Sequence, residues 1–131
     1  MKVFHLQNQR SQMLDPKNFT GEGTLIRMDD VCDDPRTNIY RVAFSAGTRT
    51  AWHSHSGPQL LLIIDGQCRL QTEGKPIQEV TNGDMVCIAA REKHWHGATP
   101  GASMTHVAIN INATTEWLEK VTDAQYEGHH P

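Results

Sequence analysis

The clearest pattern along this chain is an alternation of apolar and polar positions. Residues 38–44 read Asn-Ile-Tyr-Arg-Val-Ala-Phe, and a period of two puts Tyr40, Val42 and Phe44 on one face of a half-buried strand. The pattern returns at 103–111, where Met104, His106, Ala108 and Asn110 share one face and Val107, Ile109 and Ile111 the other. Further short strands are predicted at 21–28, 49–55, 67–72, 77–80 and 85–88, separated by turn residues at 56–58, 73–76 and 81–84. The Asp-rich stretch 29–37, which contains Pro35, reads as a loop. The apolar run 60–64 ends at Asp65-Gly66, a hairpin signal when strands flank it. A helical spacing is found at 114–121, where a Thr starts the segment, Glu116 lies in the first turn and Trp117, Leu118 and Val121 fall on one side.

Many short strands and one terminal helix predict an all-β fold, a sandwich or a barrel. With 131 residues the chain fits one domain. Its expected divisions are an N-terminal strand arm over 1–37, a core over about 38–112 and a C-terminal helix within 113–126. In the run 60–64 both faces are apolar. One can line the interior while the other meets a second sheet or another subunit, so a homodimer or higher homo-oligomer is expected.

Composition narrows the function. Twelve Lys and Arg against 15 Asp and Glu leave a net charge of −3, which argues against a nucleic-acid partner. The polar start lacks the apolar stretch of a signal peptide, and no run reaches the ~20 residues of a membrane span. Three widely spaced cysteines without a Cys-x-x-Cys suit a reducing compartment. A soluble, cytoplasmic protein is the expectation. What stands out is eight histidines against five lysines, because imidazole is the commonest metal ligand and acid–base group.

His53 and His55 lie two apart on an expected strand, so both rings project from one face. His94 and His96 repeat the spacing. Such a pair is either two ligands of one ion or two surface imidazoles on an edge strand. Gly47, five residues, His53-Ser54-His55, three residues, Gln59, six residues and Gly66 form a spaced motif. A second motif runs from Gly83 through Ala89 and Arg91 to His94, sixteen residues further on. Together they resemble the two motifs of the cupins, with Gln59 where many cupins have Glu. Ala89, Arg91 and Ala98 replace the usual Pro, Gly and Asn of the second motif. The resemblance implies a cupin (double-stranded β-helix, or jelly-roll) barrel with a metal ion on His53, His55, Gln59 and His94.

Three imidazoles and an amide oxygen would leave a divalent charge uncompensated by the protein, making a stronger Lewis acid than a Glu-containing site. That donor set suits Mn²⁺ or Fe²⁺ with open positions better than a closed zinc site, and Mn²⁺ is expected; Fe²⁺, Ni²⁺ and Zn²⁺ are the alternatives. A narrower likeness, carried by residues 49–53, 93–98, 104–106 and 117–126, is to the small single-domain cupins that include manganese-dependent bacterial hydroxynitrile lyases. It implies a pocket lined by Tyr40, Val42, Phe44 and Asn110, with His106 and His96 as bases. Strand parity alone does not decide which late face sees the metal. The small-molecule reaction implied is cyanohydrin cleavage or formation. The alternatives are an Fe- or Mn-dependent dioxygenase and a non-catalytic metal-bearing cupin that only binds a small ligand. His5, His129 and His130 have no assigned role.

Overall fold

A computed structural model describes residues 1–128; His129 and His130 lie outside the described residues. The strands are β1 (Ser11–Met13), β2 (Phe19–Thr20), β3 (Gly23–Asp33), β4 (Arg36–Phe44), β5 (Arg49–Thr50), β6 (His53–His55), β7 (Gln59–Thr72), β8 (Gln78–Thr81), β9 (Met85–Ile88), β10 (His94–Ala98), β11 (Met104–Ile111) and β12 (Thr115–Trp117). Among the described residues one α-helix, α1 (Asp123–Glu127), follows, and a single 3-10 turn, Leu6–Asn8, precedes the strands. The all-β expectation holds. The main path β1-β3-β4-β11-β7-β10-β5-β2 curls into a half-barrel, and all its pairings are antiparallel.

β7 belongs to both halves of the fold. Its first half pairs with β11 and β9, its second with β10 and β8. The hairpin expected at Asp65-Gly66 is therefore absent, and the strand bends and continues instead. Gly66 takes φ +82°, and a Cβ there would lie 1.9 Å from the Ser103 carbonyl oxygen, so only glycine lets β11 approach the bend. The loop expected over 29–37 is also replaced. β3 and β4 form a hairpin whose last pairs are Cys32 with Thr37 and Asp33 with Arg36, with a register shift between Met28 and Cys32.

The helix expected over 114–121 is a correction of greater consequence. Thr115–Trp117 is a strand paired with β6, and the pairing continues through Leu118 N–H to Trp52 O and Trp52 N–H to Glu119 O. The open edge of β6 offers hydrogen bonds that an isolated helix of this length cannot match, and Thr and Trp both favour extended backbone. Helix begins only after Thr122, where a capping box joins Thr122 and Gln125, and it ends at Gly128 with φ 85°.

The inward face of β4 and β11 holds Val42, Phe44, Met104 and Ala108, with Leu61, Ile63 and Cys68 from β7 packed against it. A separate cluster of Trp52, Trp95, Val121 and Tyr126 packs the C-terminal segment against β10 and the start of β6. There the guanidinium of Arg49 lies 4.6 Å from the Tyr126 ring centre and donates to Val121 O and Asp123.

Candidate functional site

The middle of the sheet is in register across four strands, and each row contributes to one wall. Leu25, Val42, His106 and Ile63 form one row; Arg27, Tyr40, Ala108 and Leu61 the next; Asn38, Asn110 and Gln59 the third. Facing this wall, β6 and β10 run antiparallel with His53 opposite His94. The result is a cavity of about 290 Å³ lined by His53, His55, Gln59, His96, His106 and Asn110. Tyr40, Val42 and Phe44 line it as well. His94 lies beside a second cavity of about 310 Å³. Its ring is nonetheless 4.2 Å from that of His53, centre to centre.

All five imidazoles are buried. Burial disfavours the charged form, so each is pushed below its ordinary pKa. His55 and His106 fall from 6.5 to about 4, chiefly by desolvation. His53 and His96 fall well below 6.5 by desolvation, with His94 and His106 respectively as the next cause, and His94 falls by desolvation as well. At neutral pH the cluster is therefore a set of neutral nitrogen donors.

One nitrogen each from His53, His94 and His96 lies within 4.8 Å of the others, close to the spacing of ligands around one ion with nitrogens about 2.1 Å from it. His53 Nδ1 faces Ala51 O at 2.9 Å and His94 Nδ1 faces Glu92 O at 2.8 Å. Carbonyls only accept, so both rings carry their proton on Nδ1 and keep a bare Nε2. His94 Nε2 and His96 Nε2 are buried without a hydrogen-bond partner. Orphaned nitrogens that converge in this way fit a metal ion.

Of the four expected ligands, His53 and His94 lie in this compact group. His55 and Gln59 stand beside it, His55 Nε2 facing Gln59 Oε1 at 3.1 Å, while Gln59 Nε2 donates to Asn110 Oδ1 at 2.7 Å. The rings of His53 and His55 are 5.0 Å apart, and those of His55 and His94 5.3 Å. Beyond them, His106 Nε2 meets His96 Nδ1 at 3.2 Å. One proton occupies that bond, so one neutral ring donates and the other accepts.

Comparison with known proteins then decides the family. Residues 40–110 match the family model described as "Cupin domain". This chain is a cupin. Over 114 residues this cupin is 40% identical to a protein of Granulicella tundricola named "(R)-mandelonitrile lyase", covering 82% of this chain and 85% of that one. A cupin-like protein of Thermotoga maritima superposes with a TM-score of 0.86 at 32% identity, covering 98% of both chains. The polyketide cyclase RemF of Streptomyces resistomycificus gives 0.68 at 18% identity over 97% of this chain and 91% of the other, a likeness of fold alone.

Two contributors to the site were missed in the sequence. Thr115 Oγ1 sits 2.9 Å from His55 Nδ1, and the Trp117 ring lies 4.6 Å from that of His53. Both belong to the segment read as a helix, which hid their register against β6. The N-terminal segment also reaches the cavity through Met13 and Phe19, and no short motif marks that approach.

Proposed function

We propose that this cupin is a metal-dependent lyase acting on cyanohydrins, with His53, His55, Gln59 and His94 holding a divalent cation, Mn²⁺ by preference. The observation that carries the reading is the convergence of one nitrogen each from His53, His94 and His96 within 4.8 Å, with the His55–Gln59 contact and the His96–His106 hydrogen bond beside it. The 40% identical relative named a mandelonitrile lyase supports it. A bound cation would supply a Lewis acid for the oxygen that gains charge during cleavage.

The chain's own residues account for the rest. His106 or His96, neutral at pH 7, takes the hydroxyl proton of the cyanohydrin. The O–H electron pair becomes the second bond of the carbonyl, the C–C pair leaves with cyanide, and the imidazolium returns its proton to release hydrogen cyanide. Val42 and Phe44 give the cavity an apolar wall, and Tyr40 an aromatic one, for the organic group.

The test is cyanide release from (R)-mandelonitrile by protein loaded with Mn²⁺, compared with chelated protein and with His94→Ala. Release that exceeds both controls is expected. Equal rates in all three would overturn the reading, and oxygen uptake with a diketone in place of cyanide release would assign the site to a dioxygenase. We also propose a homodimer through the outer face of the sheet, where Leu60 pairs with Ile109 and Leu62 with Val107, all half-buried in the single chain.

A further inference from the structure

Of the chain's three tryptophans, two are built into the interior. Trp52 and Trp95 are buried and donate their indole N–H to Gln125 Oε1 at 3.2 Å and to Gln71 Oε1 at 3.0 Å. Trp117 is 38% exposed and lines the cavity that holds the histidines. It begins an arc of rings along that cavity. Its ring centre lies 4.6 Å from that of His53 and 5.8 Å from that of Phe19; Phe19 lies 6.1 Å from Phe44, and Phe44 5.2 Å from His106. The arc therefore runs from the convergent nitrogens to the His96–His106 pair.

Strand register holds the two outer rings in place. Trp117 lies directly opposite His53 across β12 and β6, where paired side chains rise on the same face. Phe19 pairs with Thr50 across β2 and β5. Lys120, three residues beyond Trp117, donates from Nζ to Phe19 O at 2.8 Å and ties the two segments together. Tyr40 lines the cavity from the facing wall. Aromatic rings attract one another at centre separations of ~4.5–7 Å through faces and edges, so a flat group entering here meets rings already spaced to receive it. The open part of Trp117 is apolar surface that such a group would remove from water.

We propose that Phe19 and Trp117 form an aryl subsite at the mouth of the cavity, where they select a substrate carrying a flat aromatic group over an aliphatic one of equal size. That the substrate is a cyanohydrin rests on the lyase reading above; the choice of an aromatic ring rests on the arc.

The test uses the full chain and two neutral, unreactive probes of similar size, benzyl alcohol and cyclohexylmethanol, which differ in whether the ring is flat. Binding is followed by ¹H–¹⁵N chemical-shift titration, with and without diamagnetic Zn²⁺, and the indole N–H signals report each tryptophan separately. Benzyl alcohol should bind wild type about three- to tenfold more tightly, the range of one aromatic pair, and should move the Trp117 signal while those of Trp52 and Trp95 stay. Trp117→Leu and, on a different strand, Phe19→Leu should each remove most of that preference, and Trp117→Phe should keep it. In Mn²⁺-loaded protein the leucine variants should lower kcat/KM for mandelonitrile, relative to that for the cyclohexyl cyanohydrin, by a similar factor. A wild-type chain that binds both alcohols equally, or neither, overturns the subsite, as do leucine variants that keep the preference. Where a leucine variant does not fold, the wild-type preference and the Trp117 signal decide. The expected preference without cyanide release from either cyanohydrin supports the subsite and overturns the lyase reading alone.

Discussion

At Gln59 an amide stands where a carboxylate would add a negative charge beside three neutral rings, and the choice has opposite effects on affinity and on chemistry. Gln59→Glu should bind Mn²⁺ about tenfold more tightly or better, because a unit charge a few ångströms from the ion outweighs a dipole. It should also slow cyanohydrin cleavage, since the ion's charge would then be partly neutralised. Calorimetric titration and cyanide assay on one preparation check both; faster cleavage with tighter binding would contradict the account. The histidines also set a pH dependence. His55 and His106 have folded pKa values of about 4 against 6.5, so between those values the unfolded chain binds protons that the folded one refuses. Stability is therefore fully present above pH 6.5 and is lost as pH falls toward 4, on the order of 3 kcal/mol for each ring. Denaturant titrations of the chelated protein from pH 7 to pH 4 should show that slope.

At the scale of an element, β7 shows why a local signal can mislead. Asp65-Gly66 carries the composition of a hairpin turn, but the left-handed glycine is used to bend one strand through two sheets. Gly66→Ala would add both left-handed strain and a collision with the Ser103 carbonyl, and should cost at least about 2 kcal/mol. Gly74, at φ +80° with nothing within 4 Å of its would-be Cβ, isolates the strain alone. Gly74→Ala should cost about 1 kcal/mol. Thermal unfolding of the two variants measures the difference, and equal losses would show that the approach of β11 has no energetic weight. The strand β12 teaches the same lesson. The apolar residues of 114–121 fit a helical stripe, but an unpaired edge of β6 lay within reach, and edge pairing outweighed a weak local preference.

Across the whole molecule, a cation held by β6, β7 and β10 would tie strands distant in sequence. Saturating Mn²⁺ at about a hundred times its dissociation constant should then stabilise the fold by about 2.7 kcal/mol, and chelation should remove that gain. Calorimetric scans with and without chelator check it. The outer sheet face makes a separate prediction. Leu62→Glu should convert a dimer to a monomer in light scattering, leaving the metal affinity unchanged, whereas a wild-type monomer would overturn the proposed interface.

The sequence by itself determined the all-β class, because period-two patterning at 38–44 and 104–111 survives in any sheet that buries one face. It also determined the supply of imidazole nitrogens: His53-x-His55 and His94-x-His96 can only present their rings in same-face pairs once extended. Tertiary structure alone decided how those pairs divide. His53, His94 and His96 converge within 4.8 Å while His55 turns to Gln59 and Thr115, and that partition depends on the cross-strand register of β6 with β10 and β12. Register is set by long-range pairing and by which edges remain open. No local pattern encodes those contacts.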